Sequence, residues 1–446
     1  DKATKPLTDT STPLGEQSVG WNAADAYDSA PYAAFEFQET HPARLAAQAT
    51  LFGLTPPPPD HARILELGCA AGSNSMRIAS DLPGSQCLGV DISPRQIEQG
   101  QRMLAERSIT NLELRAANLL DLDLGDERFD YIIAHGLFTW VPDDVRDGIF
   151  RLIRDHLSPQ GIAYISYNTL PGWSVKESIA EMMRLAAAGA EGFDQTLLAA
   201  RASLQLFNRL FEHADGAHAE LVRRELGMME RKRPEVLVHD ELEQTSDPCY
   251  FLQFVAWANE YGLRHFADSS FRLIWPPALA PEVRQTLTES GLSWLHAQQY
   301  LDYLEWRSFR RSLLCRAEAP ASQTPLPDRL DGLYASTSLR VRGAVAVAPG
   351  IPLKFGLSDQ PDSESVVDIR DGLIQRFLHG LNASNGAFSA LEPAFTTALE
   401  SQSSQSGGAD HRNKLRAWVM ECLARGWMRI SATPGQSHPI QSNSSA

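Results

Sequence analysis

The stretch Ile64-Leu65-Glu66-Leu67-Gly68-Cys69-Ala70-Ala71-Gly72-Ser73-Asn74 constrains this chain more than any other. An apolar run suited to a buried strand gives way to a glycine-punctuated loop, and a helical pattern follows over 75–80. Gly68 permits a tight turn and Gly72 lets the backbone approach a ligand closely. The amide groups that open the helix point into the same space. Further apolar runs lie at 87–90, 112–114, 131–134 and 161–167, with helical patterns between them. One of these helices opens with Ser93-Pro94-Arg95-Gln96: a serine cap, proline at the first helical position and glutamine three residues after the cap. Alternation at this spacing predicts an α/β fold, a parallel sheet with helices on both faces.

Asp91 stands at the end of the second strand, 19 residues past Gly72. An acidic side chain there accepts hydrogen bonds from both hydroxyls of a bound ribose. Dinucleotide oxidoreductases and S-adenosylmethionine methyltransferases share this layout, and the loop separates them. Dinucleotides favour Gly-x-Gly-x-x-Gly, whereas here Glu66 ends the strand and the glycines stand four apart. That is the E-x-G-x-G-x-G pattern of class I methyltransferases with Ala70 at its middle glycine. Asn118 follows the third strand, where such enzymes carry Asp against the adenine; its amide both accepts and donates. After the fourth strand comes Ala134-His135-Gly136-Leu137-Phe138. The Asn/Asp-Pro-Pro-Tyr/Phe of enzymes that methylate base amines is absent. The one Pro-Cys pair, Pro248-Cys249, falls outside the cofactor segment, which argues against cytosine-C5 chemistry.

Three residues are the catalytic candidates: His135, Tyr167 and Asn168. Ligands of open α/β sheets bind beyond the carboxyl ends of the strands, where all three fall. Each also has a plainer reading. His135 either handles the acceptor or is hydrogen-bonded in the strand-end turn. Tyr167 and Asn168 either face the acceptor or belong to the bend made by Pro171-Gly172, with Trp173 packing beside it. Phe138 and Trp140 read as packing residues.

The chain has 446 residues and a net charge of −15, so several domains are expected and a duplex nucleic-acid binder, which needs a basic face, is not. The reading divides it into an N-terminal lid and spacer (1–60), a cofactor-binding core (61–173), a helical insertion (174–259), strands that close the core sheet (260–318) and a winged-helix-like α+β domain (319–446). Tyr27, Tyr32, Phe35 and Phe37 sit where a segment can fold back over the strand ends, so residues 25–40 are read as a lid. Five scattered cysteines form no C-x-x-C pair, which suggests neither zinc nor disulfides and fits a reducing cytoplasm. No apolar run approaches the ~20 residues of a membrane helix, and no signal peptide is visible at the amino end.

Beyond the superfamily, a closer resemblance is carried by Pro31-Tyr32, His41-Pro42, Leu65–Ala70, His135-Gly136 with Trp140-Val141-Pro142, and Ser166-Tyr167-Asn168-Thr169 with Pro171-Gly172-Trp173. Downstream, His239-Asp240-Glu241-Leu242-Glu243, Asp247-Pro248-Cys249-Tyr250-Phe251 and the segment from Tyr300 to Cys315 extend it. Over residues 25–316 the chain resembles bacterial methyltransferases with a methyltransferase regulatory domain, whose best-known members are similar to rickettsial protein-lysine methyltransferases. The resemblance implies S-adenosylmethionine as cofactor and no metal. It implies a cofactor-binding set of Tyr32, Glu66, Gly68, Cys69, Ala70, Gly72, Asn74, Asp91, Ile92, Asn118, Leu119 and His135. It also implies a lysine-bearing protein substrate, with homodimer formation an open expectation. A small-molecule methyltransferase, with residues 174–259 as its lid, and a scaffold that binds the cofactor without catalysis are the competing readings. Intact Glu66, Gly68, Gly72 and Asp91 argue against the scaffold.

Overall fold

A computed structural model describes residues 35–242, 246–269, 271, 274, 279–341, 352–357, 367–382, 388–400 and 408–434. Tyr32, the 25–34 part of the lid, the Ser/Gln/Gly stretch at 401–407 and the polar tail lie outside the described residues. The chain divides into two compact units, one taking in Ser174–Ser246 and the other Ala34–Trp173 with Asp247–Ala446.

The second of these units is built on seven strands: β1 (Arg63–Leu67), β2 (Gln86–Asp91), β3 (Leu112–Ala116), β4 (Phe129–Ala134), β5 (Leu157–Asn168), β6 (Leu263–Asp268) and β7 (Phe309–Arg316). Their order is β3-β2-β1-β4-β5-β7-β6. The first five pair in parallel, and β7 runs antiparallel between β5 and β6. This is the Rossmann-like class I methyltransferase sheet, and β6 and β7 close it as the sequence suggested. The inner strands read as continuous apolar runs because both faces are covered: Tyr131, Ile132, Ile133, Ile162, Ala163, Tyr164 and Ile165 are all fully buried. The helices that cross between strands are α2 (Ser73–Asp81), α3 (Pro94–Arg107) and α4 (Asp143–His156). In α3 the Ser93 hydroxyl accepts from the Gln96 amide at 3.3 Å, as the capping sequence implies.

Helix α1 (Pro42–Leu51) corrects the reading of residues 1–60 as lid and spacer. Leu45, Leu51 and Phe52 are fully buried. Phe52 and Leu51 carbonyls accept from Ser322 and Leu326, and the Ala43 carbonyl accepts from Ala432. This helix therefore ties the sheet to the strand at Met428–Ser431. One continuous apolar core runs from Leu45 through Tyr164 and Phe266 to Phe377 and Ile430. The C-terminal segment is thus part of the same body. It holds two three-stranded sheets: β9 (Leu339–Val341), β10 (Leu353–Leu357) and β11 (Val367–Ile369) in one, and β12 (Ser389–Ala390), β8 (Tyr334–Thr337) and β13 (Met428–Ser431) in the other. Residues 367–369 are strand because they pair with β10. Helices at Gly372–Asn382, Leu391–Glu400 and Gly408–Ala424, with β12 after the first and β13 after the last, give the winged-helix-like order.

The helical unit contains α5 (Trp173–Ala187), α6 (Gly192–Glu212) and α7 (Ala217–Glu230). Its core is Ile179, Met183, Leu204, Leu226 and Met229. Arg184 reaches Glu177 and Glu181 from one helix face. The insertion ends at Ser246 rather than 259. Helix α8 (Phe251–Glu260) buries Phe251, Phe254, Val255 and Ala258 in the apolar cluster that covers β4 and β5, so it belongs to the sheet.

A buried ionic group anchors β7. Asp302, at the end of helix α10 (Trp294–Glu305; α9 is Pro281–Glu289), accepts two hydrogen bonds from Arg310 at 2.7 and 2.8 Å and pairs with Arg307 at 3.0 Å. Asp268 stands 3.5 Å from Arg310, whose guanidinium also lies 3.9 Å above the Phe251 ring.

Three histidines are held neutral by burial. Loss of solvent is the main cause in each, and it pushes the pKa of His41 and His135 down to about 4 and that of His265 to about 3. In the unfolded chain each takes a proton near ~6.5. Between these values the unfolded chain binds more protons, so stability present above pH ~6.5 falls as the pH drops towards ~4. Calorimetric melting from pH ~7 to ~5 should show a falling midpoint, with proton uptake on unfolding that approaches one for each of these histidines. A flat midpoint over that window would contradict the burial argument.

Candidate active site

The loop after β1 turns as its glycines allow. Gly68 and Gly72 take φ of +70° and +77°, and Ala70 is held at +51°. A Cβ on Gly72 would stand 2.8 Å from Leu114, so the position excludes larger residues by contact as well as by conformation. Gly68 and Cys69 donate to the Val90 carbonyl at 2.8 and 3.1 Å, which sets the loop directly beside the end of β2.

There the Asp91 carboxylate accepts from the Ala70 amide at 2.8 Å through one oxygen and from the Ser93 amide at 2.9 Å through the other. Each oxygen keeps a second lone pair for a ligand hydroxyl. Burial raises the Asp91 pKa, and these backbone bonds work against the rise. Ile92, just past this apolar strand, is 61% exposed, an open apolar face beside the ribose position. Asn118 is exposed and its carbonyl oxygen accepts from the Leu120 amide at 3.1 Å. Leu119 is half-buried beside it.

Glu66 lies deeper than a ligand contact. It is 5% exposed and accepts from Asn74 at 2.9 Å and from the Ser75 hydroxyl. Burial raises its pKa, and the Ser75 and Asn74 bonds oppose this. Asn74 in turn accepts from the Phe37 amide at 2.9 Å and donates to Thr40. Glu66 and Asn74 thus join the glycine loop to the strap at residues 35–40. Cys69 is buried with its thiol pKa pushed well up by loss of solvent.

At the end of β4 the His135 ring lies against Phe37, centroids 3.7 Å apart and planes tilted by 32°, and its Nδ1 meets the Tyr164 hydroxyl at 2.8 Å. Tyr164 also bonds Arg311, which pairs with Glu39 at 3.1 Å. Gly136 has open space on its Cβ side, and its amide donates to Ser166 at 2.8 Å.

The structure therefore gathers Gly68, Ala70, Gly72, Asp91 and Ile92 at one edge and His135 at the neighbouring strand end. It does not bring Tyr167 there. That ring is stacked 4.1 Å from Phe254 inside the core, and its hydroxyl bonds Ser312 at 3.1 Å, so the catalytic reading of Tyr167 is corrected to packing. Asn168 is 3% exposed, with its Nδ2 buried and without a hydrogen-bond partner. Phe37, Glu39, Thr40, Tyr164 and Arg311 also stand at the site. Phe37, Glu39 and Thr40 fall within the lid read over residues 25–40 and Arg311 within the segment from Tyr300 to Cys315, whereas nothing in the sequence singles out Tyr164.

The site fits S-adenosylmethionine: a left-handed glycine loop for close backbone approach, a carboxylate with free lone pairs for ribose, and an exposed apolar side chain beside it. The comparisons agree. A methyltransferase domain matches residues 64–161, and a predicted methyltransferase regulatory domain matches residues 233–316. Two uncharacterized proteins of Rickettsia prowazekii are similar. One is 37% identical over 53% of this chain and 94% of its own length. The other is 35% identical over 65% of this chain, which spans about half of that relative, 52% of its length. The chain belongs to the class I S-adenosylmethionine-dependent methyltransferases that carry a regulatory domain. Among solved structures it is similar to PKMT2 from Rickettsia typhi in complex with AdoHcy, with a TM-score of 0.80 and 28% identity over 90% of this chain and 78% of that one.

Proposed function

We propose that this chain transfers methyl groups from S-adenosylmethionine to the nitrogen of lysine side chains in a protein substrate. The observation that carries this reading is the similarity to PKMT2 across nine-tenths of the chain rather than across the cofactor sheet alone, joined to the sequence resemblance to protein-lysine methyltransferases. When bound, the cofactor supplies an activated methyl group on a positively charged sulfur.

The chain's own part is positioning and exclusion of water, which in good cases are worth ~7–11 kcal/mol. Asp91 holds the ribose, and the loop from Gly68 to Gly72 fits the rest of the cofactor. The strap at 35–40, bonded to Asn74 and laid against His135, supports the lid reading for its described part.

A lysine amine reacts only after losing its proton, and burial lowers its pKa from ~10.4. His135 is a weak base here, with its pKa lowered to about 4 by burial and its Nδ1 engaged by Tyr164. Desolvation of the amine, rather than proton abstraction by His135, is therefore the activating step. The kcat/KM for a lysine peptide should rise about tenfold per pH unit from ~6 upward, without a break near ~6.5. A break there that disappears in His135→Asn would assign the base to His135 instead.

The substrate claim is tested by incubating lysate with radiolabelled S-adenosylmethionine and separating macromolecules from small molecules. Label in the protein fraction is the expected result. Label confined to small molecules would favour a metabolic methyltransferase.

A further inference from the structure

Tyr164, on β5, is fully buried, and its hydroxyl stands 2.8 Å from Nδ1 of His135. A buried hydroxyl that finds no acceptor for its proton forfeits a hydrogen bond. Burial raises the Tyr164 pKa well above its usual value, so the proton stays on the oxygen. Two further groups bear on that oxygen. Arg311 can only donate to it. Ser166, whose own oxygen accepts from the Gly136 amide at 2.8 Å, acts on it as a donor too. Nδ1 of His135 is therefore the acceptor for the tyrosine proton, because a protonated Nδ1 would leave the hydroxyl facing donors alone.

Burial lowers the His135 pKa to about 4, so the ring is neutral and carries one proton. With Nδ1 accepting, that proton is on Nε2. Nε2 makes no hydrogen bond among the described residues, and the ring is half-buried at the carboxyl end of β4. The rings packed against it, Phe37 at 3.7 Å and Phe309 at 6.1 Å between centroids, carry no acceptor.

A fixed N–H donor at this point selects what it can meet. A protonated amine offers it no lone pair. A free lysine amine does, but the bond would engage the lone pair that attacks the methyl group. An anionic oxygen suits it best. The sheet order brings one within reach. Asp91 ends β2, His135 follows β4, and β1 with its glycine loop stands between them. Neighbouring strands are ~4.8 Å apart, so the two residues lie roughly 10 Å apart across the loop. A cofactor with its ribose at Asp91 crosses that loop and brings its amino-acid end towards His135.

We propose that Tyr164 is a positioning residue that fixes His135 as an Nε2–H donor, and that this donor binds the carboxylate of the cofactor's amino-acid end. The inference goes beyond the lysine reading and rests only on the S-adenosylmethionine-dependent class.

The test uses the full chain with AdoHcy and with decarboxylated AdoHcy, which keeps the nucleoside, sulfur and amino group. Nitrogen NMR of the unmodified protein, with the His135 signals identified by their loss in His135→Gln, should show a neutral ring protonated at Nε2. By calorimetry, His135→Ala should weaken AdoHcy about tenfold and leave decarboxylated AdoHcy unchanged, as expected for one bond to a charged group. Tyr164→Phe should weaken AdoHcy about threefold in the parent. It should have no effect in His135→Gln, whose amide donates without help, whereas a merely structural tyrosine would weaken binding in both. A ring protonated at Nδ1 would overturn the role of Tyr164. Equal losses for the two ligands in His135→Ala, or no loss, would overturn the carboxylate assignment. None of these readouts involves an acceptor, so their failure is distinct from failure of the lysine reading.

Discussion

Asp302→Ala should destabilise the sheet unit by about 3–5 kcal/mol, the largest stability effect of any single side chain considered. Asp302 has no exposed surface, Arg310 is 1% exposed and Arg307 6%. Removing the carboxylate leaves both cations buried around one distant partner, Asp268, 3.5 Å from Arg310. Burial and the neighbouring Arg310 already lower the Arg307 pKa to about 10. The loss should appear as a lower denaturant midpoint with unchanged slope. Replacing the pair by apolar residues, Asp302→Leu with Arg310→Met, should recover much of it, because a buried ion pair is more easily exchanged than broken. A single variant within about 0.5 kcal/mol of the parent would show that water reaches the group.

Asp91→Ala should weaken AdoHcy and S-adenosylmethionine binding about 100-fold, since two bonds from ribose hydroxyls to a carboxylate are worth about 3 kcal/mol together. The same side chain braces the loop by accepting from Ala70 and Ser93, so its removal also loosens the turn that carries Gly72. Asp91→Asn keeps the shape but can brace only one of those amides through its oxygen, and should fall between the two. Calorimetric titration reads all three proteins. An unchanged affinity in Asp91→Ala would remove the ribose assignment, since Asp91 is the acidic residue that ends β2.

The cofactor half of the site is legible in the sequence because it is local: a strand, a glycine turn and an acidic residue at the next strand end are bound to one another by backbone geometry. The seven-stranded sheet is legible for a related reason, since doubly buried strands write apolar runs. Misreadings come where long-range contact decides. Tyr167 and Asn168 are neighbours on β5, yet strand alternation buries the tyrosine ring against Phe254, while Asn168 keeps its Nδ2 unpartnered. Residues 367–369 are strand only because β10 lies beside them. Helix α1 shows in the sequence as a helical pattern through Leu45 and Leu51, but its packing does not, because its partners, Ser322, Leu326 and Ala432, stand hundreds of residues away. The signature from Tyr300 to Cys315 is visible as a pattern in the sequence, but its reason is visible only in the fold: Asp302, Arg307 and Arg310 are the ionic anchor of β7.

The central claim is tested most directly by amino-acid analysis of protein labelled in lysate with methyl-labelled S-adenosylmethionine. After complete acid hydrolysis the counts should co-elute with methylated lysine, and should be absent when Asp91→Ala replaces the parent enzyme. Counts that elute with any other residue, or that are lost from protein on hydrolysis, would contradict a lysine acceptor.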